Sequence, residues 1–336
     1  MSKAIKLPLL IISVLFIVGI ILYSNHHRIT AVSETALMMD TAITIKVYAK
    51  AGEAETFIKK GFDHFSRIEQ EISFHIADSQ LSRLNRFREN ELKGSLGDCM
   101  KLAEEMNIKT QGYFDPTFAI IQRAYGFYDK KGRLPSEDEL ERILQETGWK
   151  SHVKLDVSEG KIYLRGSAEI DLGGIAGGYA IEKAAKAIKD AGCQDFLIDD
   201  AGDIWVEGRK SDGSPWRISV RDPRDNGSLA MIEIKQPTAV STSGNYERYV
   251  TVNGKNYGHI MNPLTGRPAD YYQSVTVIAS SPVLADVYST AFYAMPPEIG
   301  KDWAEKLKIP VLALTSAGEI QVNRYGEAWF RNIRSN

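Results

Sequence analysis

The stretch from Val240 to Met295 reads VSTSGNYERYVTVNGKNYGHIMNPLTGRPADYYQSVTVIASSPVLADVYSTAFYAM. Its Asn253-Gly254 pair lies between two β-type runs, which is a strong signal for a hairpin with a two-residue turn. The apolar run over 283–294 predicts a buried helix. A hairpin and a core helix within one segment indicate a fold that mixes strands and helices.

The rest of the chain alternates between the same two periodicities. The segment AITIKVYA at 42–49 has the period of a half-buried strand, and Glu53 to Ile72 carries the apolar stripe of an amphipathic helix. Because strands and helices follow no regular strand–helix–strand rhythm, we expect an α+β fold. It would be a single compact mixed domain, or two interleaved subdomains with the site between them. Further helices are predicted at about 93–111, 136–147 and 298–307, a hairpin at 152–165, and strands near 194–199, 203–207, 216–221, 229–235, 310–315 and 318–323.

The composition is that of an ordinary globular protein. Of the 336 residues, 43% are hydrophobic and 25% are charged, and the formal net charge is −2. Domains that bind nucleic acids usually carry a clear excess of basic residues, so we expect no nucleic-acid partner.

The first residues of the sequence predict a targeting signal. Leu7 to Tyr23 is an uncharged apolar run preceded by Lys3 and Lys6, which predicts a signal anchor or a signal peptide over residues 1–24. The sequence that follows lacks a convincing small-x-small cleavage site, which favours an uncleaved anchor. A polar linker is expected over 25–36, before a catalytic domain at 37–336. The basic residues in front of the run predict a plasma-membrane or inner-membrane protein whose domain lies on the extracytoplasmic, periplasmic side.

Asp286 and Thr290 are the strongest candidates for metal ligands. They are four residues apart on the predicted helix, so they share one face. A carboxylate and a hydroxyl, completed by a backbone carbonyl, suit a hard cation such as Mg²⁺, and Ser289 is a candidate partner behind them. In the alternative interpretation, Asp286 caps the helix and Thr290 bonds within it.

Other polar residues in the opening stretch are open to two interpretations. His259 stands just ahead of the turn Asn262–Gly266, where it could take a proton from a hydroxyl or simply be satisfied within the turn. Ser241, Thr242 and Ser243 could contact a phosphate or close a turn.

Four glycines stand between a short strand and an Ala-rich helix. Glycines in this position let backbone N–H groups approach a phosphate at the N-terminus of the helix, but a tight packing turn would need them equally. They are Gly173, Gly174, Gly177 and Gly178.

Seven segments together resemble the ApbE family, the FAD:protein FMN transferases. They occur in the family's order and cover nearly all of the chain after residue 36. The segments are MMDT at 38–41, SFHIADSQLSRLN at 73–85, GYFDPT at 112–117, DLGGIAGGYA at 171–180, STSGNYERY at 241–249, HIMNPLTGRP at 259–268 and SVTV…ADVYSTAFYAM at 274–295.

The resemblance implies a reaction and a set of site residues. FAD and Mg²⁺ would bind, a Thr or Ser hydroxyl of a target protein would attack the phosphorus on the FMN side, and AMP would leave. The expected targets are flavin-bearing subunits of respiratory or electron-transfer complexes. His259 would act as the base, with Asp286 as the second catalytic group. By resemblance Mg²⁺ would be held by Gly174, Asp286 and Thr290, and FAD would be contacted by Met39, His75, Tyr113, Phe114, Asp115, Asp171, Gly177 and Ile260.

The sequence departs from the family pattern at two positions. Gly177 replaces a Lys of the family's glycine loop, and Asp40 replaces a Gly between Met39 and Thr41. Gly takes a positive φ at little cost, whereas Asp does so at some cost. Two alternatives to the transferase stay open at this point: a Mg²⁺-dependent FAD pyrophosphatase that uses water as acceptor, and a protein that binds FAD without turnover.

Overall fold

The computed structural model describes residues 29–50, 52–225, 227–246 and 248–335, and an eight-stranded antiparallel sheet is its largest element. The predicted signal segment, residues 1–24, lies outside the described residues. None of the helices in the described ranges is both long enough and apolar enough to cross a membrane.

The main sheet has the strand order β1-β2-β6-β7-β10-β15-β16-β17, and smaller sheets are formed by β18-β9-β8, β3-β5-β4, β11-β12 and β13-β14. The strands are β1 (Ile29–Met38), β2 (Thr41–Lys50), β3 (Glu89–Glu91), β4 (Val153–Asp156), β5 (Lys161–Leu164), β6 (Phe196–Asp200), β7 (Asp203–Glu207), β8 (Trp216–Arg221), β9 (Ser228–Ile234), β10 (Thr238–Gly244), β11 (Tyr249–Val252), β12 (Lys255–Gly258), β13 (Met261–Asn262), β14 (Arg267–Pro268), β15 (Tyr272–Ala279), β16 (Val311–Thr315), β17 (Ile320–Val322) and β18 (Phe330–Arg331).

The helices follow the apolar periodicity of the sequence to within a few residues. They are α1 (Ala54–Ile72), α2 (Gln80–Phe87), α3 (Gly94–Lys109), α4 (Ala119–Ala124), α5 (Glu137–Leu144), α6 (Trp149–His152), α7 (Gly173–Asp190), α8 (Pro282–Ala294) and α9 (Pro297–Leu307), with a 3₁₀ turn at Gly326–Ala328.

The larger core lies between the main sheet and the helices α1, α7 and α8. Alternate residues of β2, such as Ile43 and Ile45, are fully buried on this face because the strand period directs every second side chain to the helices. Helix α7 crosses α8 at very short range. A Cβ atom added at Gly178 would lie 2.7 Å from the backbone oxygen of Pro282, so only glycine permits this approach.

A second core covers the opposite face of the sheet. Val240, Ile278 and Leu312 point from the main sheet toward the sheet of β8, β9 and β18, whose buried residues include Ile232 and Phe330. The main sheet is therefore covered on both faces, and its helix-facing side is the one that carries the polar residues described below.

The polar linker predicted for 25–36 is wrong from residue 29 onward. Residues 29–38 form the edge strand β1, which pairs with β2 from Ile29↔Lys50 to Met38↔Thr41. Most of its side chains are exposed, so its polarity resembles that of a linker although the backbone is fully paired. The turn that joins the strands places Met39 at φ 52° and Asp40 at φ 63°. Asp40 thus takes the positive φ expected of the Gly that it replaces.

Candidate active site

Helix α7 is kinked at its start. Gly174 has non-helical dihedral angles, φ −90° and ψ 15°. In a regular helix the N–H of Gly178 would donate to the carbonyl oxygen of Gly174. Here the N–H of Gly178 donates to Oδ2 of Asp286 at 2.9 Å. The kink and this hydrogen bond place the first turn of α7 against the carboxylate of Asp286.

Asp286 and Thr290 lie beside this kink. Helix α8 begins after Ser281, so Asp286 is inside the helix and the interpretation as a helix cap is wrong. Its side chain is buried, with 5% of the residue exposed. A Cβ atom at Gly174 would lie 3.6 Å from Oγ1 of Thr290. Gly174 is thus brought to the other two predicted metal-binding residues, although it is distant from them in sequence.

Two further carboxylates, which were not predicted from the sequence, lie close to Asp286. Asp200 and Asp203 end β6 and begin β7, and they lie opposite each other in the hairpin. A Cβ atom at Gly177 would lie 3.4 Å from Oδ2 of each and 3.7 Å from Oδ2 of Asp286. Like charges placed directly opposite each other destabilise a hairpin. Asp200 and Asp203 flank the turn in the sequence DDAGD at 199–203, and an arrangement that costs stability indicates a function. This sequence pattern is the signal that could have revealed them.

Burial makes these three carboxylates hard to ionise. Desolvation is the main cause that raises the pKa of Asp200, Asp203 and Asp286. Repulsion from nearby carboxylates adds to it, from Asp199 on Asp200, from Asp286 on Asp203 and from Asp200 on Asp286. Among the described residues none of the three forms a salt bridge. In the same part of the chain no three Asp, Glu, His or Cys side chains are arranged as a metal site. A metal ion here would need a mixed set of carboxylate, hydroxyl and carbonyl ligands.

Hydroxyl groups connect the sheet to α8. Oγ of Ser241 donates to the carboxylate of Asp203, and it lies 2.9 Å from Oγ of Ser289. Oγ of Ser243 lies 2.9 Å from Oγ of Ser289 and 3.3 Å from Oγ1 of Thr290. These serines belong to β10, so they do not close a turn.

The neighbour of these serines faces the other way. Thr242 lies between them on β10, and its Oγ1 is 2.9 Å from Oγ1 of Thr276 on β15. Since side chains alternate along a strand, its hydroxyl cannot join those of Ser241 and Ser243.

Aromatic rings form a second part of the site. The ring of Tyr128 stacks on Phe74 at 4.5 Å between centroids, and the guanidinium of Arg123 lies 5.3 Å from the centroid of Tyr128. The ring of His75 meets Tyr128 edge-on. Its Nε2 is 3.4 Å from the guanidinium of Arg248. Of this group only His75 was predicted as a contact of FAD; Phe74 and Arg248 belong to two of the seven segments, whereas Arg123 and Tyr128 lie outside them.

Tyr128 also connects the rings to the start of α7. Its hydroxyl lies 2.8 Å from Oδ2 of Asp171 and 2.8 Å from Oε1 of Gln122. The amide of Gln122 donates to the backbone oxygen of His259 at 3.0 Å. Asp171 and His259, both predicted, are therefore held by one hydrogen-bond network.

His259 presents one ring nitrogen as an acceptor. Its Nδ1 carries the proton and donates it to the backbone oxygen of Arg248 at 3.1 Å. In the neutral ring Nε2 is therefore unprotonated, and its lone pair can accept a hydrogen bond or a proton. Desolvation, assisted by the charge of Arg248, lowers the pKa of His259 to about 4. The imidazole is therefore neutral at pH 7 and able to accept a proton.

The remaining predicted contacts lie around these two parts. Met39 donates its N–H to Glu69 at 2.8 Å, and Phe114 packs against Gly174. Tyr113 is partly buried against the core and Ile260 is buried.

Asp115 is already engaged with its own surroundings. Its Oδ1 accepts from the N–H of Thr117 at 2.9 Å and Oδ2 accepts from the N–H of Trp149 at 2.9 Å, so its carboxylate ties two loops together. Its role toward FAD stays a prediction.

The family of this chain follows from a comparison with known proteins. The model of the ApbE family matches residues 39–313. The chain belongs to the ApbE family. The family predicted from the seven segments is confirmed, and the match begins at the strained turn and ends within β16.

Relatives and solved structures of the ApbE family agree with this. The FAD:protein FMN transferases of Vibrio cholerae and Escherichia coli are 29% and 26% identical, over 84% and 75% of this chain and 86% and 74% of their own lengths. The ApbE protein of Thermotoga maritima has a TM-score of 0.83 at 30% identity, covering 90% of this chain and 100% of its own. The apo form of the Pseudomonas stutzeri flavinyl transferase ApbE has a TM-score of 0.81 at 25% identity, covering 90% and 98%. The predicted mixed α+β domain is thus confirmed.

Proposed function

We propose that this chain transfers FMN from FAD to a Thr or Ser hydroxyl of an extracytoplasmic target protein, with Mg²⁺ as cofactor and AMP as the second product. The class of enzyme, FAD:protein FMN transferase, follows from membership of the ApbE family and from the names of its relatives. The metal, the acceptor residue and the location are the finer parts of the proposal.

The observation that carries the metal site is the hydrogen bond from the N–H of Gly178 to Asp286, beside the kink at Gly174. It brings the kinked turn next to the Asp286 carboxylate and the Thr290 hydroxyl, where the carbonyl of Gly174 could serve as the third ligand. Three oxygen ligands from protein, with further positions for water and phosphate, suit Mg²⁺. When bound there, Mg²⁺ would neutralise negative charge on the pyrophosphate.

His259 supplies the base in this proposal. The acceptor oxygen forms a bond to the phosphorus on the FMN side, the bond from that phosphorus to the AMP oxygen breaks, and the hydroxyl proton moves to Nε2 of His259. The hydrogen bond from Nδ1 to Arg248 fixes the tautomer, and Gln122 holds the backbone of the residue. General-base catalysis of this kind typically contributes 10²–10⁴-fold to a rate.

The aromatic residues fit the flat rings of FAD. Phe74, Tyr128 and His75 offer ring faces and edges, and Arg123 and Arg248 bring positive charge to the same side. The apolar run Leu7–Tyr23 supports a membrane anchor and an exported domain. Such a location favours flavin-bearing subunits of electron-transfer complexes as targets.

The test is a labelling reaction with the purified chain, FAD, Mg²⁺ and a candidate target, followed by a denaturing gel. We expect a fluorescent target band together with released AMP. Asp286→Ala should abolish the band while its circular dichroism matches that of the wild type. AMP without a labelled band would favour the pyrophosphatase, and bound FAD without AMP would favour a binding protein. Full labelling by Asp286→Ala at limiting Mg²⁺ would overturn the metal site.

A further inference from the structure

A chain of four hydroxyl groups joins the proposed metal ligand Thr290 to the carboxylate of Asp203. The successive oxygen pairs are Thr290–Ser243 at 3.3 Å, Ser243–Ser289 at 2.9 Å and Ser289–Ser241 at 2.9 Å. Ser241 then donates to Asp203. Ser241 and Ser289 are buried, with 2% and 0% exposed, so water cannot readily replace these contacts.

Each hydroxyl has one proton, and this restricts the direction of the chain. Ser241 donates its proton to the carboxyl group of Asp203, so that proton is used there. The contact between Ser241 and Ser289 then needs the proton of Ser289. The contact between Ser243 and Ser289 then needs the proton of Ser243, because the proton of Ser289 is already used. The contact between Thr290 and Ser243 needs the proton of Thr290 for the same reason, so Thr290 donates to Ser243.

Ser289 decides the direction for a second reason. Its Oγ is also 2.9 Å from the backbone oxygen of Asp286, which is another group that can only accept. Whether its proton goes to Ser241 or to Asp286, Ser289 remains an acceptor for Ser243. The direction between Ser289 and Thr290 is therefore the same in both arrangements.

We propose that Ser289 and Ser243 are positioning residues, which make Thr290 donate its proton to Ser243 and turn its oxygen lone pairs toward the cation. The inference rests on the proposed function, because it assumes a cation at Thr290. A hydroxyl that turns its proton toward a cation would repel it. Groups behind the ligands of a metal typically change its affinity by 10–100-fold when they are removed.

The test measures binding of Mn²⁺ to the full chain without FAD, by loss of the electron paramagnetic resonance signal of free Mn²⁺. Mn²⁺ prefers oxygen ligands as Mg²⁺ does. In Ser289→Ala the proton of Ser243 loses its acceptor and swings to Thr290, so we expect about tenfold weaker binding. The matched control is Thr242→Val, which removes a hydroxyl contact of equal length on the other face of β10 and should bind as the wild type does.

A double variant separates positioning from packing. Adding Ser243→Ala to Ser289→Ala removes the misdirected proton donor, so the double variant should bind Mn²⁺ more tightly than Ser289→Ala does. A packing role would make the double variant weaker than either single variant. Ser289 lies in helix α8, where Ala is a good helix former, and Ser243→Ala on β10 removes only one hydroxyl group, so the fold should be kept.

The results distinguish this inference from the proposed function. If Asp286→Ala loses Mn²⁺ binding while Ser289→Ala keeps it, or if the double variant is the weakest, the inference is wrong and the metal site stands. If the wild-type chain binds no Mn²⁺, or if Asp286→Ala binds as well as the wild type, the metal site and the inference both fall.

Discussion

The candidate site has two walls of opposite character. We call Asp200, Asp203 and Asp286 the acidic wall, and Phe74, His75 and Tyr128, with their neighbours Arg123 and Arg248, the aromatic wall. The acidic wall stands on strands and a helix, within the core, and none of its carboxylates has a salt-bridge partner among the described residues. The aromatic wall stands on loops, apart from Arg123 in the short helix α4, and is more exposed: 45% of the His75 side chain and 53% of the Arg123 side chain are accessible.

The two walls suit two different tasks, which are binding a cation and recognising a ring system and an acceptor protein. A cation site needs oxygen atoms held at fixed positions, which regular elements in a core supply. Recognition of a ring system and of an acceptor protein needs accessible groups, which loops supply. The proposed base, His259, belongs with the aromatic wall through Gln122 and Tyr128.

The largest expected effect is that of replacing His259, which should slow catalysis and leave cation binding at the acidic wall intact. His259→Gln removes the proposed base, so we expect the rate of FMN transfer to fall by about 10²–10⁴-fold while the dissociation constant for Mn²⁺ stays unchanged. Because the pKa of His259 is lowered to about 4, the wild-type rate should lose the contribution of this base only as the pH falls through that value. A variant that loses Mn²⁺ binding together with its activity would show that the walls are not independent.

The next effect concerns the two adjacent glycines of α7 at the acidic wall. A Cβ atom at Gly178 would come within 2.7 Å of Pro282, whereas one at Gly177 would meet carboxylate oxygens at 3.4 Å or more, which is ordinary contact. Gly178→Ala should therefore lower the free energy of unfolding by about 1–3 kcal/mol through overpacking. Gly177→Ala should be neutral or stabilising by up to about 1 kcal/mol, since Ala favours the helix. Urea unfolding of both variants measures this, and equal losses would contradict the geometry.

Gly177→Lys should give the acidic wall a cation of its own. In the metal-free chain, we expect it to stabilise the fold by about 1 kcal/mol at pH 8 relative to Gly177→Gln, because an ammonium group can pair with the buried carboxylates. The same substitution should weaken Mn²⁺ binding through repulsion. Thermal unfolding and Mn²⁺ titration of the two variants provide the comparison. A Lys variant no more stable than the Gln variant would show that its ammonium does not reach Asp200 or Asp203.

The smallest effect is a dependence of stability on pH. Burial raises the pKa of Asp200 in the folded chain, so between its unfolded and folded pKa values the folded state binds more protons. Its contribution to the stability of the metal-free chain is therefore lost as the pH rises through the folded pKa. Asp200→Asn should weaken this dependence, so that unfolding temperatures at pH 4, near the unfolded pKa, and at pH 8 lie closer together than in the wild type. An unchanged difference would mean that Asp200 is solvated.

The acidic wall was partly predictable from the sequence, and the aromatic wall hardly at all. Asp286 and Thr290 could be paired because a helix places residues four apart on one face. Asp200 and Asp203 needed the register of the hairpin and the position of α7 above it. Tyr128 reaches Asp171 only through the tertiary fold, since 43 residues separate them.

The missed edge strand has a different physical cause. Strand β1 is polar and exposed because it lies at the edge of the sheet, and its stability comes from backbone pairing with β2. Hydrophobic periodicity detects burial and cannot detect such pairing. The resemblance to the ApbE family, in contrast, used the order of seven segments and did not depend on correct element bounds.

We propose that Gly174 and Thr290, together with Asp286 of the acidic wall, hold the cation on which FMN transfer depends. Anomalous diffraction from crystals of the chain grown with Mn²⁺ tests it most directly, because the signal locates the ion. We predict a peak in contact with the carbonyl oxygen of Gly174, the carboxylate of Asp286 and Oγ1 of Thr290. A fully occupied peak elsewhere, with none at these three oxygens, would contradict the claim.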